Sequence, residues 1–231
     1  MSRNYSQRKP SEYNFFRKIF TMITCSWVYA FYYKVACNLK IEGRENVPKK
    51  GFFIVASNHV SAVDPFLMVD AVQRPIAYMA KKELFETKMG RFFLDLLGAF
   101  AVNREKLEVS TIKTAIGIKQ TDWLLGLFPQ GTREIDGNMD NISRGFAAIA
   151  KTTKSDILPV CITGARKDER KAFKGHIKIK IGKPIPYMED THEMVNIWIQ
   201  KMSELSREDS WTDDWKKAWL QEVCEKDCKR F

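Results

Sequence analysis

The sequence predicts an α/β fold: a layered, mostly parallel sheet flanked by helices. Three observations lead there. "FFIVAS", "WLLGLF" and "DILPVCITG" are short apolar runs without polar alternation, the pattern of strands buried on both faces of a parallel sheet. Segments of helical length separate such runs, giving the strand–helix–strand rhythm of a layered α/β architecture. The chain of 231 residues, 45% apolar and 29% charged, is ordinary for one sizeable globular domain with room for an appendage.

Taken in order, residues 1–13 read as a mobile polar end, and residues 14–38 as one or two helices. Within them, "IFTMITCSWVYAFYY" (19–33) carries no charge and lies between Arg17-Lys18 and Lys34. As a helix it would be about 22 Å long at roughly 1.5 Å per residue. A hydrocarbon core needs about 30 Å, so a span would be short. Aromatic content and flanking positive charge suit a helix lying in the membrane interface. A helix packed onto the domain core is the alternative. "LKIEGRENVPKKG" then reads as a short strand and a turn, and "FFIVAS" as the first buried strand. Asp64-Pro65 marks a helix start, with aspartate at the N-cap and proline at the first helical position.

"PIAYMA" follows as a strand, "KKELFETKMGRFFLDLLG" as a broken helix and "AFAVNR" as a strand. "EVSTIKTAIGIKQTD" reads as a helix, and "WLLGLFPQ" as a strand ending in the turn "QGT". "ISRGFAAIAKTTK" is a helix, "DILPVCITG" a buried strand, and "GHIKIKIGKPIP" an alternating strand with Ile177, Ile179 and Ile181 on one face. The tail is helical, and Trp211, Trp215 and Trp219 form a stripe suited to docking on a core. The expected division is 1–39 for the polar end and interfacial helices, 40–186 for the catalytic domain, and 187–231 for a helical extension.

The net charge of +10 is unevenly placed: residues 1–50 hold ten Lys/Arg against three Asp/Glu. A basic front half suits an anionic partner such as lipid, an acidic carrier or nucleic acid. The aromatic-basic interleaving of nucleic-acid binders is missing, so no nucleic-acid partner is expected. Five cysteines, an odd number without a CxxC pair, suit a reduced, cytosol-facing protein. Cys224 and Cys228 would share a helix face but lack a third ligand, so no metal is expected. The polar start shows no cleavable secretory signal.

Active groups of α/β folds gather beyond the carboxyl ends of strands. Here Asn58-His59 and Asp64 follow one strand, Asn103-Arg104 a second, and "PQGTR" (129–133) a third. Imidazole takes a proton from a hydroxyl near neutral pH, and a carboxylate five residues on can hold its other nitrogen and stabilise the cation that forms. A capping aspartate beside an ordinary polar histidine is the competing reading. No GxSxG elbow occurs, no cysteine neighbours His59 in sequence, and Ser61, two residues on in the same turn, can simply bind backbone. A base without an obvious nucleophile suggests that the substrate supplies the attacking hydroxyl. Arginines and a Gly-Thr turn beside the base suit a phosphate, although "FPQGTR" lacks the features of a Walker loop.

"NHVSAVD" matches the NHxxxxD signature of the glycerolipid acyltransferases, and "GAFAVNR", "FPQGTR" and "ILPV" resemble that family's other three blocks in order. Residues 40–186 most resemble the bacterial 1-acylglycerol-3-phosphate acyltransferases. The resemblance implies acyl transfer from a thioester on coenzyme A or acyl carrier protein, as co-substrate rather than cofactor, to the sn-2 hydroxyl of a lysophospholipid acceptor at the bilayer. A peripheral place on the cytoplasmic face of the cell membrane is implied. Carried over by position, His59 is the general base and Asp64 its orienting partner. Arg104, Gly131, Thr132 and Arg133 would hold the acceptor phosphate. Asn58, Lys82 and Gln130 are candidates for support, and Pro159 receives no chemical role. The third block usually reads FPEGTR; Gln130 keeps the shape and an acceptor oxygen but loses the charge. Glycerol 3-phosphate or another lysolipid as acceptor, and a non-catalytic membrane-binding protein on the same fold, are the alternatives.

Overall fold

The computed structural model describes residues 5–103, 108–131, 133, 142–166 and 176–206. Seven strands form one sheet: β1 (Lys40–Glu42), β2 (Ile54–Ser57), β3 (Ile76–Lys81), β4 (Phe100–Val102), β5 (Leu124–Leu127), β6 (Ile157–Thr163) and β7 (Lys178–Ile181). Their order is β1-β7-β6-β2-β5-β3-β4, parallel throughout except for the antiparallel β6–β7 pair. The helices are α1 (Phe15–Met22), α2 (Phe31–Ala36), α3 (Asp64–Val72), α4 (Lys88–Leu96), α5 (Val109–Lys119), α6 (Gly145–Thr153) and α7 (Thr191–Ser206). Residues Ile23–Ala30 join α1 to α2 as a π-helical stretch.

The unbroken apolar runs follow from helices on both faces. Along β2, Ile54 and Ala56 join one core cluster with Phe146 and Trp198, while Val55 joins the opposite cluster with Leu67 and Met68. Ile177, Ile179 and Ile181 all join that second cluster, so the expected alternation at β7 holds. On the first face α7 packs over β6, and the Trp198 indole N–H donates to the Ala56 carbonyl at 3.3 Å. The tryptophan stripe at 211–219 and the two tail cysteines lie outside the described residues.

The N-terminal helices have one side packed on the domain and one side exposed. Their inner side, including Cys25, Ala30, Tyr33 and Ala36, packs into the cluster around α3. Their outer side leaves Phe15 and Trp27 about three-quarters exposed, at 76% and 75%. Among the described residues no helix is long and apolar enough to cross a membrane.

Residues 5–13 correct the expectation of a mobile polar end. The Ala101 amide of edge strand β4 donates to the Tyr5 carbonyl at 2.9 Å, and Arg8 Nε donates to Ala99 O at 2.8 Å. Tyr13 is buried, with its ring centroid 5.3 Å from that of Trp123. The segment covers a sheet edge that would otherwise present unpaired amides, and it does so with polar groups that read as solvated in the sequence.

Candidate active site

Strand register brings the site together. Ala56 of β2 lies opposite Leu127 of β5 in a parallel pair, so residues three past each, His59 and Gln130, emerge side by side. The Gln130 side-chain carbonyl accepts the His59 backbone N–H at 2.7 Å. On the other flank of β2, Asn58 bonds the main chain of β6 at both ends of its amide: Nδ2 donates to Ile162 O and Oδ1 accepts from Ile162 N, each at 2.8 Å. The turn carrying His59 is thereby tied to strands on both sides.

Asp64 is wholly buried and folds back onto that turn. One oxygen, Oδ2, accepts from His59 Nδ1 at 2.9 Å, from the Val60 amide at 2.8 Å and from the Ser61 amide at 2.7 Å. This corrects the N-cap reading, because Asp64 is the first residue of α3 and its carboxylate serves the turn upstream. With Nδ1–H directed at a carboxylate, which can only accept, the neutral ring carries its lone pair on Nε2. Tautomer and ring orientation are therefore both set by one buried oxygen.

An aromatic stack holds the face of the imidazole. His59 lies on Phe128 with centroids 4.0 Å apart, and Phe128 in turn stacks on Tyr78 at 5.8 Å. Tyr78 lies opposite Gly126 across the β3–β5 pair, and a Cβ at Gly126 would come within 2.4 Å of the tyrosine ring. That glycine leaves the space the stack needs. The Tyr78 hydroxyl donates to Pro65 O at 3.0 Å, and its burial pushes ionisation well above the ordinary tyrosine range.

His59 lines two cavities. One, of about 160 Å³, is bounded by Asn103, Pro129, Gly131 and Ser143 among others. The other, of about 350 Å³, is mostly apolar and runs past Cys25, Val69, Ile76, Leu94 and Leu97. An imidazole aligned by a carboxylate, between a small polar-rimmed space and a longer apolar one, suits proton removal from the polar end of an amphiphile. Among the described residues no group of three or more His, Cys, Asp or Glu side chains is arranged to hold a metal ion.

The proposed phosphate ligands are placed unevenly. Gly131, at φ +72°, lines the smaller cavity in a turn closed by its amide on Phe128 O at 2.9 Å. Arg133 is exposed and lines the apolar cavity. Arg104 and Thr132 lie outside the described residues. Lys82, a candidate for support, lines neither cavity, and its ammonium pairs with Glu108 at 2.9 Å on the surface. Pro159 sits within β6 opposite Ala56 and lines neither space.

The model of the acyltransferase family matches residues 38–163 of this chain. The 1-acyl-sn-glycerol-3-phosphate acyltransferase of Bacillus subtilis is 34% identical over 155 residues, covering 67% of this chain and 77% of that protein. The protein of that name from Borreliella burgdorferi is 30% identical over 124 residues, 53% of this chain and half of its own length. The chain belongs to the acyltransferase family. The crystal structure of the 1-acyl-sn-glycerophosphate acyltransferase PlsC from Thermotoga maritima has the same fold, with a TM-score of 0.66 at 22% identity over 84% of this chain and 80% of that one.

In this acyltransferase, Gln130 engages His59 through the main chain. A glutamate, usual at this position in the resembling block, could accept the same amide proton, but would set a second buried carboxylate beside the His59–Asp64 pair. Gln130→Ala leaves the His59 N–H without that acceptor, which costs about 1–2 kcal/mol. With the turn loosened, we expect kcat to fall roughly tenfold while KM changes little. Gln130→Glu, which restores the acceptor, should recover most of that loss. Steady-state kinetics on the two variants check both outcomes.

Sequence inspection missed Cys25, Phe128 and Tyr78 as site residues. Cys25 is distant in sequence yet lines the apolar cavity with His59. Burial pushes its thiol up to about 12, with Asp70 adding to the rise. It stays a protonated thiol at neutral pH and is a poor nucleophile there.

Proposed function

We propose that the protein transfers a fatty acyl group from a thioester, carried by coenzyme A or an acyl carrier protein, to the sn-2 hydroxyl of 1-acylglycerol 3-phosphate. The product is phosphatidic acid. The observation that carries this reading is His59 at the junction of the two cavities, with Nδ1 on buried Asp64. Family membership and the names of the relatives support the choice of acceptor.

Nε2 of His59 removes the hydroxyl proton as the oxygen attacks the thioester carbonyl. Asp64 stabilises the imidazolium that forms. The tetrahedral intermediate collapses with cleavage of the carbon–sulfur bond, and the departing thiolate takes the proton back from His59. The apolar cavity receives acyl chain, and the polar-rimmed one receives the glycerol phosphate end. Arg104 neutralises the phosphate, with Gly131 and Thr132 beside it, and Arg133, which lines the apolar cavity, adds positive charge from that side. Amides of His59, Val60, Ser61 and Gly131 are engaged by Gln130, Asp64 and Phe128, so oxyanion stabilisation falls to other donors. The exposed outer side of the N-terminal helices lies against the cytoplasmic leaflet, where the acceptor resides.

The test is an acceptor panel on the protein in lipid vesicles. It comprises 1-acylglycerol 3-phosphate, glycerol 3-phosphate and neutral lysolipids, each with acyl-coenzyme A and acyl carrier protein donors. We expect 1-acylglycerol 3-phosphate to be acylated with the highest kcat/KM. Faster acylation of glycerol 3-phosphate would replace the acceptor. Lipid binding without thioester consumption would end the catalytic reading.

A further inference from the structure

The α4 helix turns its apolar side away from the protein. Met89, Phe92 and Phe93 stand at helical spacing on one side and are 67%, 61% and 47% exposed, while no residue of the helix is buried. Leu84, just before the helix, is 52% exposed. Such a cluster marks an interaction surface rather than a solvated face.

Its neighbours indicate what covers it. Arg17 of α1 binds the Asp95 carboxylate of α4 at 3.0 Å and also its carbonyl oxygen, and Arg8 reaches the same carboxylate at 2.9 Å. These bonds fix α4 beside α1, whose outer side exposes Phe15, Phe16 and Ile19. The apolar cavity that reaches His59 is lined from one side by Thr21 and Cys25 and from the other by Leu84, Leu94 and Leu97. Because half-exposed Leu84 is part of that lining, the cavity reaches the surface next to α4. The charges on the helix are Lys88, Arg91 and Asp95; with Asp95 engaged inward, the outward charge is positive.

We propose that α4 is a second membrane-embedded element. Its Met89, Phe92 and Phe93 enter the acyl layer of an anionic bilayer beside the N-terminal helices, so that the cavity opens into lipid. Lys88 and Arg91 meet anionic headgroups at the rim. The inference rests on the bilayer reading of the N-terminal helices and extends it to a separate part of the chain. Acyl chains then pass between membrane and site without crossing water.

The experiment uses the full chain and vesicles of phosphatidylethanolamine with phosphatidylglycerol. In a Met89→Ser/Phe92→Ser/Phe93→Ser variant, vesicle partitioning measured by co-sedimentation should fall by about tenfold or more. Turnover of a short-chain acceptor, dispersed as monomers in detergent-free buffer, should stay at the parental rate, since none of the three side chains lines either of the cavities at His59. A Phe16→Ser/Trp27→Ser variant tests the N-terminal surface alone. Normal partitioning of the α4 variant, with a fall in the N-terminal one, overturns the α4 proposal and leaves the membrane reading standing. Normal partitioning of both overturns the membrane reading as well. If light scattering shows a changed oligomeric state in the α4 variant while partitioning is unchanged, a second copy covers the face and the proposal fails.

Discussion

Replacing His59 with alanine should lower turnover about a thousandfold, within the range of roughly 10²–10⁴ that a positioned general base supplies. The fold should survive. Loss of the imidazole removes the stack on Phe128 and one bond to Asp64, but Asp64 Oδ2 keeps the Val60 and Ser61 amides. We expect a stability loss of about 1–2 kcal/mol, since a partly buried ring and one hydrogen bond disappear together. Initial rates of acyl transfer on vesicles, beside a urea unfolding curve, check both halves. Activity within tenfold of the parent in a folded variant would remove His59 from the role of base.

Asp64→Asn separates charge from shape and should have an effect of comparable size. The amide oxygen can still accept the Val60 and Ser61 protons, so the turn has its local acceptor. What disappears is the negative charge that stabilises the imidazolium, and turnover should drop by about 10²–10⁴. A further penalty arises on the opposite side of the carboxylate. Asp64 Oδ1 is buried without a hydrogen-bond partner, and an amide nitrogen there would bury two donors against nothing. That costs about 1–3 kcal/mol. If the asparagine variant turned over at nearly the parental rate, Asp64 would be no more than a brace for the turn.

Strands β2, β5 and β6 were legible because each is buried on both faces, and continuous burial produces continuous apolar runs at "FFIVAS", "LLGL" and "ILPVCIT". The His59–Asp64 pair was legible because five residues around a tight turn bring the groups within hydrogen-bond reach whatever lies beyond. Gln130 stood out only as a departure from a block. Its bond to the His59 amide depends on β2 and β5 pairing in one particular register, and Ala56 and its partner Leu127 lie 71 positions apart in the chain. The packed segment 5–13 was misread because Tyr5 and Arg8 are held through carbonyl and guanidinium bonds, which carry no apolar pattern.

The α4 stripe shows the same division from another side. Spacing alone predicts a helix with an apolar face, but periodicity has no sign and does not say whether that face looks inward. Arg8 and Arg17 decide it by holding Asp95, and so the polar side, against the domain.

By itself, the sequence determined the layered α/β class, the pairing of His59 with Asp64 and the apolar, charge-flanked character of the N-terminal helices, since each arises from residues near one another in the chain. Only the tertiary structure decided that Gln130 braces the His59 turn, that Cys25 borders the apolar cavity, that Lys82 stays at the surface and that the apolar side of α4 faces outward. Those outcomes depend on contacts between segments far apart in the chain, whose geometry is set by strand register and packing and leaves no local periodicity to read.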